Sequence, residues 1–145
     1  MKRHIALQPL SRDHHVALVA AQQLRRATAA DAAAARDAFL RFWREHGALH
    51  FRVEEDVLLP AFAAYGDPAD ERVVKMLVDH VRIRAAAAAL ADGEPDLVAM
   101  HRLGAALSEH VRLEERAVFP LIEEALPADA AAALVDAVLA AEARG

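Results

Sequence analysis

The sequence contains no cysteine. That excludes a disulfide scaffold, an iron–sulfur cluster, a thiolate zinc site and a cysteine nucleophile. It is sparing with residues that interrupt helices, holding 5 Gly and 6 Pro in 145 residues, and only 5% of it is aromatic. No run of about eighteen apolar residues occurs, so no membrane span is expected. Positive charge is not in excess. The net charge is -5 and the pI about 5.9, which argues against sequence-independent binding of nucleic acid. Met1-Lys2-Arg3-His4 is basic, but Ile5 to Leu10 is too short for the apolar part of a signal peptide and no small-residue cleavage site follows. A cytoplasmic location is the expectation.

What is present is helix-forming and histidine-rich. Hydrophobic residues make up 56% and charged residues 27%, a folded rather than a disordered balance. About a quarter of the chain is alanine, the strongest intrinsic helix former. The length fits a single domain over 1–145, large enough for a buried core. Eight histidines is a high number for such a chain.

Helix punctuation is legible. Ser11 is the expected cap of a first helix with Leu10, His14, Ala17, Leu18, Ala21 and Leu24 on its apolar side, ending near Thr28. Asp31 opens a second, with Phe39, Trp43, His46, His50, Glu54, Val57 and Ala61 on one stripe, and Pro60 kinks it or marks its last turns. Gly66-Asp67-Pro68 reads as stop, cap and restart, giving a third helix from about Pro68 to Asp92. Gly93 stops that helix, and Pro95 opens a fourth that reaches about Leu126. A short fifth follows Pro127, over about 128–143. Short loops between long helices imply antiparallel neighbours. The expected fold class is all-α, an up-down-up-down four-helix bundle over about 11–126 with a short C-terminal fifth helix.

The chain repeats itself once. His50-Phe-Arg-Val-Glu54-Glu55 with Pro60 matches His110-Val-Arg-Leu-Glu114-Glu115 with Pro120, and Asp13-His14 echoes Asp79-His80. His and Glu at i, i+4 share one helix face. At about 1.5 Å per residue, the lone histidines and the His-x-x-x-Glu pairs fall about 18–28 Å from the turns that join their helices. Up-down topology therefore brings His14, His50, His80 and His110 to nearly one level. His14 lies with Leu10, Leu18 and Ala21, whereas His15 falls with Gln22 and Arg26, so His14 is the inward residue.

Four imidazoles and two carboxylates in a bundle core are costly unless paired or bound to metal. Imidazole and carboxylate without thiolate suit iron, manganese or zinc. The donors are too many for one tetrahedral zinc and suit two metals, with Glu54 and Glu114 bridging.

This pattern resembles the hemerythrin-like, HHE cation-binding domain, and the resemblance extends from about Leu10 to Leu126. It implies a non-haem di-iron centre that binds or reduces a small oxidant, whether oxygen, peroxide or nitric oxide. By residue it implies His14, His50, Glu54, His80, His110 and Glu114 as ligands. Oxygen-carrying hemerythrins have a second histidine one turn from the lone histidine of the third helix. Here those positions are Met76 and Arg84. His46, one turn before His50, could supply a fifth imidazole or else supports the ligands from behind or packs in the core; without it an open position or a water completes the coordination, which favours chemistry over storage. Glu55 and Glu115 are expected behind the ligands or on a solvated face, where they orient an imidazole or replace a bridging glutamate.

Around these, His4, His15 and His101 are expected to face solvent, and Arg52 and Arg112 to pair with nearby carboxylates. The fifth helix, with Leu134, Val135, Val138 and Leu139, covers the bundle end or forms a homodimer contact. No phosphate loop or hydrolase triad is present, so a substrate-specific enzyme has little support. The alternative to oxidant chemistry is a metal- or redox-responsive regulatory module without turnover.

Overall fold

The Gly, Pro and Asp punctuation sets the helices of the fold, which a computed structural model describes over residues 2–145. Five helices run in chain order: α1 (Gln8–Arg25), α2 (residues 32–63), α3 (Glu71–Ala91), α4 (residues 97–125) and α5 (Ala128–Ala143). No strand occurs among the described residues. Asp70 Oδ1 accepts from the Arg72 N–H at 2.9 Å and Asp96 Oδ1 from the Ala99 N–H at 3.1 Å, so each carboxylate satisfies a free donor at a helix start. Gly93 has φ +88°, the left-handed region that suits glycine, and there the chain turns from α3 towards α4.

α1 lies along α4, and α3 packs against α4 as well, while α2 completes the bundle beside α1 and α3. The apolar core is divided in two. Leu7, Leu10, Leu58, Phe62, Met76, Val118, Phe119 and Ile122 fill one half. Leu24, Phe39, Phe51, Ile83, Leu103, Leu107 and Val111 fill the other. The polar layer lies between: on α1, for example, Leu10 belongs to the first half, Ala17 to the second, and buried His14 sits between them. α5 turns Ala131, Leu134, Val138 and Ala141 inward and closes the first half against α2. Its apolar face is therefore used within the chain.

Three details differ from the sequence reading. α1 starts at Gln8, with Leu7 before it and Pro9 in its first turn, so Ser11 is not a cap. α3 starts at Glu71 because Asp70, rather than Asp67, accepts the capping bond. Most consequential, α2 and α4 are not regular. Each widens into a π turn at its second motif residue, over Glu54–Leu58 and over Glu114–Val118, and α2 has another over Trp43–Gly47. The Leu59 N–H reaches back to the Glu54 carbonyl and the Phe119 N–H to that of Glu114. Proline follows directly in both helices. A proline ring clashes with the carbonyl four residues earlier in a regular helix, and the wider turn accommodates it. Pro60 and Pro120 thus neither end nor break their helices.

α1 and α4 approach closely at Gly104, where a Cβ would stand 2.6 Å from the Ala21 carbonyl oxygen and 2.7 Å from Arg25 Cγ. Backbone cannot move aside cheaply, and overpacking of this kind costs about 1–3 kcal/mol. Gly104→Ala should lower the thermal midpoint by several degrees; an unchanged midpoint would contradict this packing.

Candidate metal centre

The four histidines reach one level, as their distances from the turns require. His14 comes from α1, His50 with Glu54 from α2, His80 from α3, and His110 with Glu114 from α4. Glu54, Glu114 and His80 have no exposure, and His14, His50 and His110 are buried. Two sets of donor atoms converge: His14, His50, Glu54 and Glu114 form one, and Glu54, His80, His110 and Glu114 the other, each with its atoms within 4.8 Å of one another. Both glutamates belong to both sets. Glu114 turns Oε1 to His14 Nε2 at 2.8 Å and Oε2 to His110 Nε2 at 2.7 Å. Glu54 turns Oε2 to His50 Nε2 and Oε1 to His80 Nε2, each at 3.1 Å.

The imidazoles are held from behind by a second ring of carboxylates. Each Nδ1 meets one: His14 meets Glu115 at 2.6 Å, His50 meets Asp13 at 3.1 Å, His80 meets Glu55 at 2.5 Å and His110 meets Asp79 at 3.2 Å. A carboxylate there makes Nδ1 the donor and leaves the Nε2 lone pair facing the centre. The duplication explains the pattern, since Asp13 and Asp79 are counterparts and so are Glu55 and Glu115. Asp13 and Asp79 were visible in the sequence as a repeated Asp-His, but periodicity alone gave them no role. Glu55 and Glu115, expected behind the ligands or on a solvated face, orient imidazoles.

Further groups fix this ring. Arg84 grips both oxygens of Glu55 at 2.9 Å each, and Lys75 bonds Asp79 at 2.6 Å. Ser11 Oγ donates to Glu115 Oε2 at 2.7 Å. Arg3 donates to the Glu115 carbonyl at 2.7 Å. That carbonyl lies five residues before Pro120, whose missing N–H leaves it without a partner across the π turn. Phe51 lies flat on the His80 ring at 3.8 Å, and Phe119 stacks on His14 at 5.4 Å.

His46 falls in neither donor set and is exposed. A regular helix would place it on the stripe of His50, but the π turn over Trp43–Gly47 adds a residue to the winding and rotates it outward. His15 and His4 are exposed as expected, but His101 is half-buried, its Nε2 2.8 Å from the Ala27 carbonyl. Arg52 and Arg112 make no ion pair among the described residues. Met76 is fully buried in the apolar core and Arg84 is committed to Glu55, so the position one turn from His80 supplies no imidazole.

The centre also shows what it lacks. His50 Nε2, His110 Nε2 and both oxygens of Glu54 are buried without a hydrogen bond of acceptable geometry. Such orphans are rare in native cores and costly. Metal coordination uses these lone pairs at the positions where they converge, so the donor set fits a cation-binding centre. The hemerythrin HHE cation-binding domain model matches residues 6–122. The chain belongs to this family. No curated protein and no solved structure matches this hemerythrin-like chain.

Without metal, protons must balance the carboxylates. Burial opposes a charged His80, but the facing carboxylates of Glu114 and Glu54 outweigh burial and hold its pKa up at about 9. For His110 burial is likewise outweighed, by the Glu114 charge and the bond to Asp79, and the pKa stands at about 10. Burial also disfavours ionised Glu114, yet the His110 charge and neighbouring bonds hold its pKa well below the usual range. A histidine whose folded pKa exceeds its unfolded value of about 6.5 stabilises the fold fully below that value. The stabilisation disappears as pH rises through the folded pKa. Chelator-stripped protein should therefore lose thermal stability between pH 7 and 10, while metal-loaded protein holds a flatter profile. A stripped protein whose midpoint stays level or rises across that range would contradict the assignment.

Proposed function

We propose that this hemerythrin-like protein holds two iron ions, one in each donor set, and that the pair binds or reduces a small oxidant. His14 and His50 would hold one ion, His80 and His110 the other, and Glu54 and Glu114 would bridge them. The observation that carries the oxidant reading is a small, largely apolar cavity of about 20 Å³ that opens on His14 and His50. It has room for about one water-sized molecule. Oxygen, peroxide and nitric oxide are on that scale, and an organic substrate is not.

The duplication argues that only one side is open. Ala17 and Gly47 line the cavity. Their counterparts in the second half are Ile83 and Leu107, larger and buried, and Phe51 covers the His80 ring. A Cβ on Gly47 would meet the Trp43 ring at 2.6 Å, so glycine there lets the indole lie against the helix as a wall of the cavity. On its outer side the cavity meets a wider one of about 270 Å³, and Asp13, His46 and His50 border both. His46 thus serves at the mouth of the route rather than as a ligand.

When bound, a pair of iron ions supplies electrons and an open coordination position. The residues do the rest. Asp13 and Glu115 keep Nδ1 of His50 and His14 protonated and their Nε2 atoms aimed at the centre. Leu107, Val111 and the aromatic wall keep bulk water away from the oxidant.

Iron-loaded protein supplied with a chemical reductant should consume peroxide over many turnovers. Ala17→Ile, which copies the second half, should retain metal and a near-native thermal midpoint yet slow consumption at least tenfold. Equal rates would refute this entry route. A loaded protein that neither consumes peroxide nor binds nitric oxide would refute the oxidant reading and favour a regulatory module without turnover, in which metal locks the core and its loss loosens it.

A further inference from the structure

α3 is apolar on two opposite faces. Its inward face carries Val73, Met76, His80, Ile83, Ala87 and Leu90, all buried. Its outward face carries Val74 (45% exposed), Leu77 (37%), Val78 (39%) and Val81 (66%), with exposed Ala85 and Ala88 continuing the line. The spacing 74, 77, 78, 81, 85, 88 is the recurrence of three and four residues that marks a helix-packing seam. A helix apolar all round is normally buried on all sides, and a contiguous exposed stripe marks an association surface. Among the described residues nothing covers it, since α5 spends its apolar face against α2.

We infer that this face of α3 binds the same face of a second copy of the chain, antiparallel about a twofold axis near Leu77 and Val78. Charge complementarity selects that occupant and that register. Glu71 and Arg82 flank the stripe on the same side, three turns apart along the helix. Neither makes an ion pair or a side-chain hydrogen bond among the described residues. In a twofold antiparallel pair, a given flank of one helix faces the same flank of the other. The register that sets Val74 against Val81 of the second copy, and Leu77 against its Val78, brings Glu71 to about 3 Å along the axis from Arg82 of that copy. The symmetry repeats this contact, so two reciprocal ion pairs close the two ends of the seam. The stripe is self-complementary in both shape and charge, as an interface across a twofold axis must be. Antiparallel helix dipoles favour the same arrangement. Ala85 and Ala88 beyond the ion pairs let the surfaces approach without obstruction. The area is that of one helix pair, at the low end for specific interfaces, so the dimer is reversible.

Sedimentation velocity of the metal-loaded full chain at rising concentration tests this. The expected result is a monomer–dimer equilibrium in the micromolar range. Val81→Glu should abolish it. Glu71→Arg, which sets like charges opposite each other, should weaken it several-fold, and Glu71→Arg combined with Arg82→Glu should restore it, with circular dichroism confirming the fold of each variant. A chain that stays monomeric at every concentration overturns the proposal. So does a dimer indifferent to Val81→Glu, which would lie on another face, or a double variant that fails to recover. Because these residues face away from the centre, a failure here leaves the metal reading intact.

Discussion

Two glutamate carboxylates stand with no exposure in the middle of an apolar bundle, and most of the structure exists to keep them there. An ionised carboxylate in a core is prohibitively costly unless paired or coordinated. Here each is faced by imidazoles from several helices, and each imidazole is backed by a further carboxylate, three of which are anchored in turn: Glu55 by Arg84, Asp79 by Lys75 and Glu115 by Ser11. Charge thus alternates outward from the centre. The arrangement explains why the core is split: the polar layer occupies one level, and apolar side chains seal it above and below.

The duplication gives this layer its symmetry, and departures from the duplication give it a direction. Equivalent carboxylates hold equivalent histidines in both halves. The apolar surroundings are unequal, with Ala17 and Gly47 on the side of His14 and His50 where the other half has Ile83 and Leu107. A π turn over Trp43–Gly47 has no counterpart in α4, which is regular from Leu97 to Leu113. A symmetric cation site and an asymmetric approach to it are separable properties of one chain. The first is set by ligands one helical turn apart, the second by the size of the side chains around them.

Much of this was readable from residues alone. Gly66, Gly93 and Pro127 marked the helix ends because each falls in a short break where several weak helix-stopping signals coincide. The distances from each turn to His14, His50, His80 and His110 brought those residues together because rise per residue is nearly constant. The errors have physical causes. Periodicity assumes a regular helix, and the added residue of a π turn leaves no compositional mark, so His46 was placed inward on a stripe that in fact rotates away from it. Pro60 and Pro120 carried the hint, as prolines inside helices that did not end. Ser11 satisfied the statistics of a cap but serves Glu115 instead, from a helix a hundred residues away, a contact no local rule detects. Arg84 was noticed only for not being histidine. Its role depends on Glu55, which the fold brings beside it.

The central claim is that the two carboxylates are shared between two imidazole pairs, each pair completing one cation site. Titration of the stripped, folded protein with ferrous iron under anaerobic conditions tests it most directly, followed by elemental analysis after desalting. The account predicts saturation at two irons per chain, falling below one in Glu114→Ala. Saturation at a single iron, or a protein that stays folded and retains none, would contradict it.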